Sequence, residues 1–241
     1  MSPKTIAFFG ASTGCGLAAL KLSLAAGHTC IALCRIPAKL EAILPPSAHP
    51  NLTIIAGNAH SAAAVSSALT IPSTPTRFVD AVLFSIGGAF SFSTMSLDDP
   101  HVCGTGMRVL LSALASLRAA GVVGAPHVTA LSTTGISAAG RDVPLVYVPL
   151  YHGVLRVPHA DKKVMEAALV GAGEQWTVVR PTLLVDGASE KKVRVGVEDA
   201  VNGWEKKALG YSISREDVGR WIFDNVLEKG GYESKYVTLS W

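Results

Sequence analysis

The residues best suited to chemistry come early. They are Gly10-Ala11-Ser12-Thr13-Gly14-Cys15-Gly16, directly after the apolar stretch at 6–9 and directly before Leu17-Ala18-Ala19-Leu20. An apolar strand, a glycine loop and a helix in that order make an anion site. The glycines permit a tight turn and a close backbone approach, and the helix N-terminus offers unpaired N–H donors and a partial positive charge to a pyrophosphate. In this context the loop predicts dinucleotide binding at the head of a βαβ unit. The next apolar run ends Ala32-Leu33-Cys34-Arg35. An NAD-preferring protein places an acid there to bond both ribose hydroxyls. Arg35 instead offers a guanidinium fork to a 2′-phosphate, with Lys39 adding charge a turn later, so NADP(H) is the expected cofactor.

The loop resembles the GxxxGxG fingerprint of the short-chain dehydrogenase/reductase superfamily, and the resemblance extends along nearly the whole chain. It implies that Asn58, in Gly57-Asn58-Ala59, lies beside the adenine. It also implies that Ser85-Ile86-Gly87-Gly88 passes close to the nicotinamide ribose. Ser132 takes the place of the superfamily's catalytic serine. The segment His159-Ala160-Asp161-Lys162-Lys163-Val164-Met165-Glu166 resembles the Lys-x-x-x-Glu helix of atypical members, and Trp176-Thr177-Val178-Val179-Arg180-Pro181 resembles their T-[IV]-[IV]-R-P strand. Lys162 then holds the lysine position, both as catalytic residue and as cofactor ligand, with Lys163 about 100° round the helix and facing solvent.

Four residues before Lys162 stands Pro158, where the superfamily usually has a tyrosine whose pKa the lysine lowers. Tyr147, Tyr151, His152 and His159 are replacement proton donors in the neighbourhood, Tyr151 and His152 foremost because they precede the Lys162 helix in a Pro-bounded loop. Two subfamilies accommodate the gap: NmrA-like proteins, some of which bind the dinucleotide without turnover, and flavin/biliverdin-reductase-B-like enzymes, whose hydride acceptors need little acid help. Ile213-Ser214-Arg215-Glu216-Asp217-Val218 resembles a helix opening common to both, and Ser214 is its natural N-cap. An NADPH-dependent oxidoreductase acting on a small hydrophobic molecule is the leading expectation. A regulatory NADP(H)-binding protein and a redox-neutral isomerase or cyclase on the same fold are the alternatives.

Positioning these residues takes a doubly wound, mostly parallel α/β sheet of Rossmann type. Short apolar runs at 6–9, 29–34, 52–56, 81–85, 128–132 and 176–179 read as strands, and helical periodicity falls at 16–26, 61–69, 101–120, 160–171 and 215–228. Residues 186–213 break the rhythm and read as a small inserted substrate-side subdomain within a single domain spanning 1–241, with a last strand at 236–239 closing the sheet edge.

Composition narrows the partners to small molecules. A net charge of +3 spread over 241 residues, with no basic cluster beyond a pair, argues against nucleic acid and membrane surfaces. No apolar run nears the ~20 residues of a membrane span, and a cytoplasmic protein, monomeric or homodimeric, is expected. The four cysteines form no CxxC pair, so core thiols are expected and no metal site.

Overall fold

The computed structural model describes residues 2–88, 90–91, 96–97, 99–147 and 155–241. Its first half reads β1 (Thr5–Phe9), α1 (Gly14–Ala25), β2 (Thr29–Cys34), α2 (Pro37–Glu41), β3 (Leu52–Ala56) and α3 (Ala62–Leu69). A hairpin of β4 (Thr70–Ile71) and β5 (Thr74–Phe78) leads to β6 (Ala81–Phe84). A smaller hairpin follows, β7 (Phe90–Ser91) with β8 (Ser96–Leu97), and then α4 (Val102–Ala119) and β9 (His127–Leu131). After a 3₁₀ turn at Leu145–Tyr147 come α5 (Arg156–Val170), β10 (Gln175–Pro181), β11 (Leu183–Val185), β12 (Arg194–Asp199), β13 (Gly203–Lys206) and β14 (Ser212–Ser214). The chain finishes with α6 (Arg215–Ile222), a π-helical continuation over Phe223–Glu228, and β15 (Lys235–Ser240).

Among the described residues the main sheet has the order β13-β12-β15-β10-β9-β6-β1-β2-β3. From β15 to β3 every neighbouring pair is parallel. Parallel strands covered on both faces are apolar at successive positions, which is why Ile6-Ala7-Phe8-Phe9 carries no polar residue. Ile6 and Phe8 face a core built with α1 and α6, while Ala7 and Phe9 face one built with α3, α4 and α5. The sheet is thus doubly wound. The chain runs outward in one direction from β1 through β2 to β3, and in the other through β6, β9 and β10 to β15. Between β1 and β6 lies the switch point where such sheets open a crevice beyond their strand ends.

The structure departs from the sequence expectation at several elements. β15 is not the sheet edge: β12 pairs with it antiparallel, from Arg194 opposite Ser240 to Asp199 opposite Lys235, and β13 pairs with β12. Part of segment 186–213 therefore extends the main sheet. α5 begins two residues before Pro158 rather than after it, because a proline in the first turn forfeits only an N–H that has no helical partner. The terminal helix changes from α to π winding at Phe223. No described helix is long and apolar enough to cross a membrane.

Candidate functional site

A cleft of about 610 Å³ opens at the switch point, walled by the 10–16 loop, the ends of β2, β3, β6 and β9, and Lys162 of α5. Its floor is close-packed backbone. Gly10 has φ +89°, and a Cβ there would lie 2.8 Å from the Ser85 carbonyl carbon. A Cβ on Gly16 would lie 2.3 Å from Ser85 Oγ and 2.7 Å from the Gly10 carbonyl oxygen. Glycine at these two points lets the loop lie flat on the β6 turn. Gly16→Ala should cost about 1–3 kcal/mol and weaken dinucleotide binding. Gly87, with open space where its Cβ would be, should accept alanine within about 0.5 kcal/mol. Thermal melting with and without the dinucleotide checks both.

Ser85, expected as a cofactor contact, lines the cleft but spends its hydroxyl on the loop. Its Oγ–H is shared between the carbonyls of Phe9 and Gly10, each at 3.1 Å.

The fit of this cleft to a dinucleotide rests on what its walls leave unsatisfied. α1 starts at Gly14 with Thr13 as N-cap, yet no side chain caps it and no acid stands in its first turn. The first-turn N–H groups, which have no intrahelical partner, are left for an anion. At one end of the cleft Arg35 and Lys39 are exposed, with no ion-pair partner among the described residues. Ser12 Oγ–H points to Cys34 Sγ at 3.5 Å below them. Asn58 lines the same end, its Oδ1 accepting from the His60 N–H at 3.1 Å. Burial pushes the Cys15 thiol up to about 12, so it is no thiolate at neutral pH.

At the other end stand Ser132 and Lys162. Ser132 is buried, its N–H donates to the Val179 carbonyl at 2.7 Å, and its Oγ has no hydrogen-bond partner among the described residues. Lys162 Nζ donates to the carbonyls of Ile86 at 2.9 Å and Leu131 at 2.7 Å, tying together the ends of β6 and β9. Lys163 is exposed. A buried network fixes the turn of α5 that carries Lys162. Arg180 of β10 forks Glu166, four residues after Lys162, through Nε at 3.0 Å and Nη2 at 2.7 Å, and bonds Glu198 of β12 through Nη1 at 2.9 Å. Its guanidinium lies 3.9 Å from the Tyr236 ring centroid. Burial opposes the charge on Arg180, yet the two carboxylates hold its pKa above the ordinary value. Asp161 completes the brace from the neighbouring position. Its carboxylate accepts from the N–H groups of Cys103 and Gly104, both at 2.8 Å, capping α4 from another helix.

The cleft thus brings together Gly10, Ser12, Thr13, Gly14, Cys15, Gly16, Arg35, Asn58, Ser85, Gly87, Ser132 and Lys162. Tyr151 and His152 lie outside the described residues. Tyr147 packs edge-on against Tyr211, with ring centroids 5.5 Å apart, and His159 is buried. Leu184 and Arg215 also line the cleft and were not singled out as ligands from the sequence. The only signal for Arg215 was its place at the start of the Ser214-capped helix.

Over residues 10–229 the sequence matches the family described as NAD(P)H-binding. Reductase pytE of Aspergillus terreus is 39% identical over 266 aligned residues, covering 100% of this chain and 99% of the relative. Oxidase pynE of Aspergillus niger is 35% identical over 284 residues, covering 100% of this chain and 99% of the relative. Among solved structures, a short-chain dehydrogenases/reductase of Veillonella parvula in complex with NADP superposes with a TM-score of 0.73 at 14% identity, covering 100% of this chain and 95% of that one. The anaerobillin reductase ChuY of Escherichia coli O157:H7 superposes with a TM-score of 0.67 at 17% identity, covering 98% and 96%. The glycine loop on an uncapped helix, the doubly wound sheet and the match along most of the chain agree: this chain belongs to the NAD(P)H-binding family.

Proposed function

We propose that the protein is an NADPH-dependent oxidoreductase acting on a small, apolar organic molecule. The single observation that carries this reading is the continuity of the cleft. It runs from a cationic end at Arg35 and Lys39, past the open N-terminus of α1, to an unpartnered hydroxyl and an ammonium at Ser132 and Lys162. The relatives named reductase and oxidase support redox chemistry. Bound NADPH supplies a hydride to the acceptor.

The chain's own residues hold and orient. Backbone N–H groups of residues 14–16 bind the diphosphate, Arg35 the 2′-phosphate, and Asn58 the adenosine end. Lys162, anchored to two carbonyls and with only the weak acceptor Met165 Sδ at 4.0 Å besides, offers its ammonium to the nicotinamide ribose. Ser132 Oγ–H donates to the substrate atom that gains charge, and burial strengthens that bond. Pro158 stands on the turn where the resembling enzymes carry tyrosine, so the proton comes from water or from Tyr151 or His152. Orientation of the acceptor carries most of the rate. Leu184, which lines the cleft, favours an apolar acceptor.

The test is a panel of carbonyl, quinone and flavin acceptors followed by loss of the near-ultraviolet absorbance of NADPH. Oxidation of NADPH with at least one acceptor is expected, and none with any would overturn the reading. Cofactor choice is tested separately. Arg35→Glu should weaken NADPH by about 10- to 100-fold, the worth of one charge-assisted contact, while leaving NADH nearly unchanged. Equal weakening of both in a fluorescence titration would remove Arg35 as the discriminator.

A further inference from the structure

α6 lies directly on α1, and the two run in the same direction. A Cβ on Gly219 would lie 2.5 Å from Ala18 Cβ and 2.6 Å from the Cys15 carbonyl oxygen, so backbone nearly touches backbone. One turn earlier, Arg215 lays its stem over the glycine loop: a Cβ on Gly14 would lie 3.4 Å from Arg215 Cδ. The N-termini of both helices therefore sit side by side at the cleft, and Arg215 lines it between them.

This is an awkward place for a cation. A helix N-terminus carries a partial positive charge, and the uncapped one of α1 lies beside the guanidinium, whereas that of α6 is capped by Ser214 Oγ. The acids nearby do little to offset it. Glu216 is exposed, and the Asp217 carboxylate is taken by the Trp241 indole N–H at 2.9 Å and the Ser189 N–H at 3.5 Å. Arg215 has one ion pair among the described residues, Nη1 to Asp186 Oδ1 at 2.8 Å, and the Asp186 side chain is 86% exposed, a partner that water screens heavily. The uncapped N-terminus of α1 and the Arg215 guanidinium, with one solvated carboxylate beside them, describe a site completed by an anion from outside.

We propose that Arg215 is a cofactor-binding residue that grips the diphosphate beside the glycine loop, with Asp186 holding the guanidinium in place until the anion arrives. The inference rests on the dinucleotide occupying this cleft. Arg35 and Arg215 then divide the work: Arg35 reads the 2′-phosphate, and Arg215 grips the part common to all these dinucleotides. The ion pair also ties residue 186, in the segment after β11, to the occupied site.

Calorimetric titration of the full chain with NADP+, ADP-ribose and adenosine 2′-monophosphate decides it. Arg215→Met should weaken NADP+ and ADP-ribose by a common factor of about 10 to 100 and leave adenosine 2′-monophosphate unchanged. Arg35→Glu should weaken NADP+ and adenosine 2′-monophosphate and spare ADP-ribose. If Arg215→Met binds NADP+ and ADP-ribose like the wild type, the diphosphate grip is wrong while the cofactor reading stands. If that variant keeps its cofactor affinity and only its KM for the substrate rises, Arg215 belongs to the substrate and the grip is again overturned. Wild-type protein that binds none of the three overturns the cofactor reading itself. Arg215 is half-exposed at a helix start, so unchanged melting of the free variant separates lost binding from lost fold.

Discussion

Lys162→Met should lower NADP+ affinity by about tenfold or more, and turnover by about a hundredfold, whereas Lys163→Met should change neither. The ammonium of Lys162 makes two charge-assisted bonds that join the ends of β6 and β9. Each such bond is worth about 1.5–3 kcal/mol, and methionine replaces none of it. The loss also frees the Ile86 turn, which borders the cleft, and misplacing a bound reactant by about 1 Å costs on the order of a hundredfold in rate. Lys163 is exposed on the same helix and serves as the matched control. Calorimetry on both variants checks the register of α5. A large loss for Lys163→Met with none for Lys162→Met would mean that the helix is turned the other way.

Arg180→Met should be the most damaging substitution for stability, by about 3–5 kcal/mol, because it leaves two buried carboxylates without their cation. For a chain of this size that is roughly 6–20 °C in melting temperature. Thermal melting of the variant checks it, and a loss under about 1 kcal/mol would show that packing, not charge, holds this corner. Because Glu166 sits one turn from Lys162, the same variant should also weaken NADP+.

The strands that form the cleft were readable because parallel strands buried on both faces are runs such as Cys30-Ile31-Ala32-Leu33-Cys34, bounded by polar turns. The glycine loop was readable because close backbone packing tolerates no Cβ at Gly10 and Gly16, which leaves a mark in residue type. β12 hid for the opposite reason. Its inward positions are Gly196 and Glu198, and a buried glutamate looks like a surface residue until Arg180, 18 positions away, is seen to hold it. Asp161 hid likewise, since its partners are main-chain N–H groups 57 and 58 residues back in the chain. Arg215 gave only a local signal, a residue following an N-cap, while its relation to Gly14 exists only once α6 has packed on α1. The chemistry set by neighbours in sequence was legible, and the chemistry set by packing was not.

The most direct test of the whole account is a crystal structure of the NADP+ complex. It should show the 2′-phosphate within about 3 Å of the Arg35 guanidinium, the diphosphate on the backbone of residues 14–16, and the nicotinamide ribose at Lys162 Nζ, with the nicotinamide ring facing the space beside Ser132. A dinucleotide bound outside this cleft, or bound in it with the nicotinamide at the Arg35 end, would contradict the account.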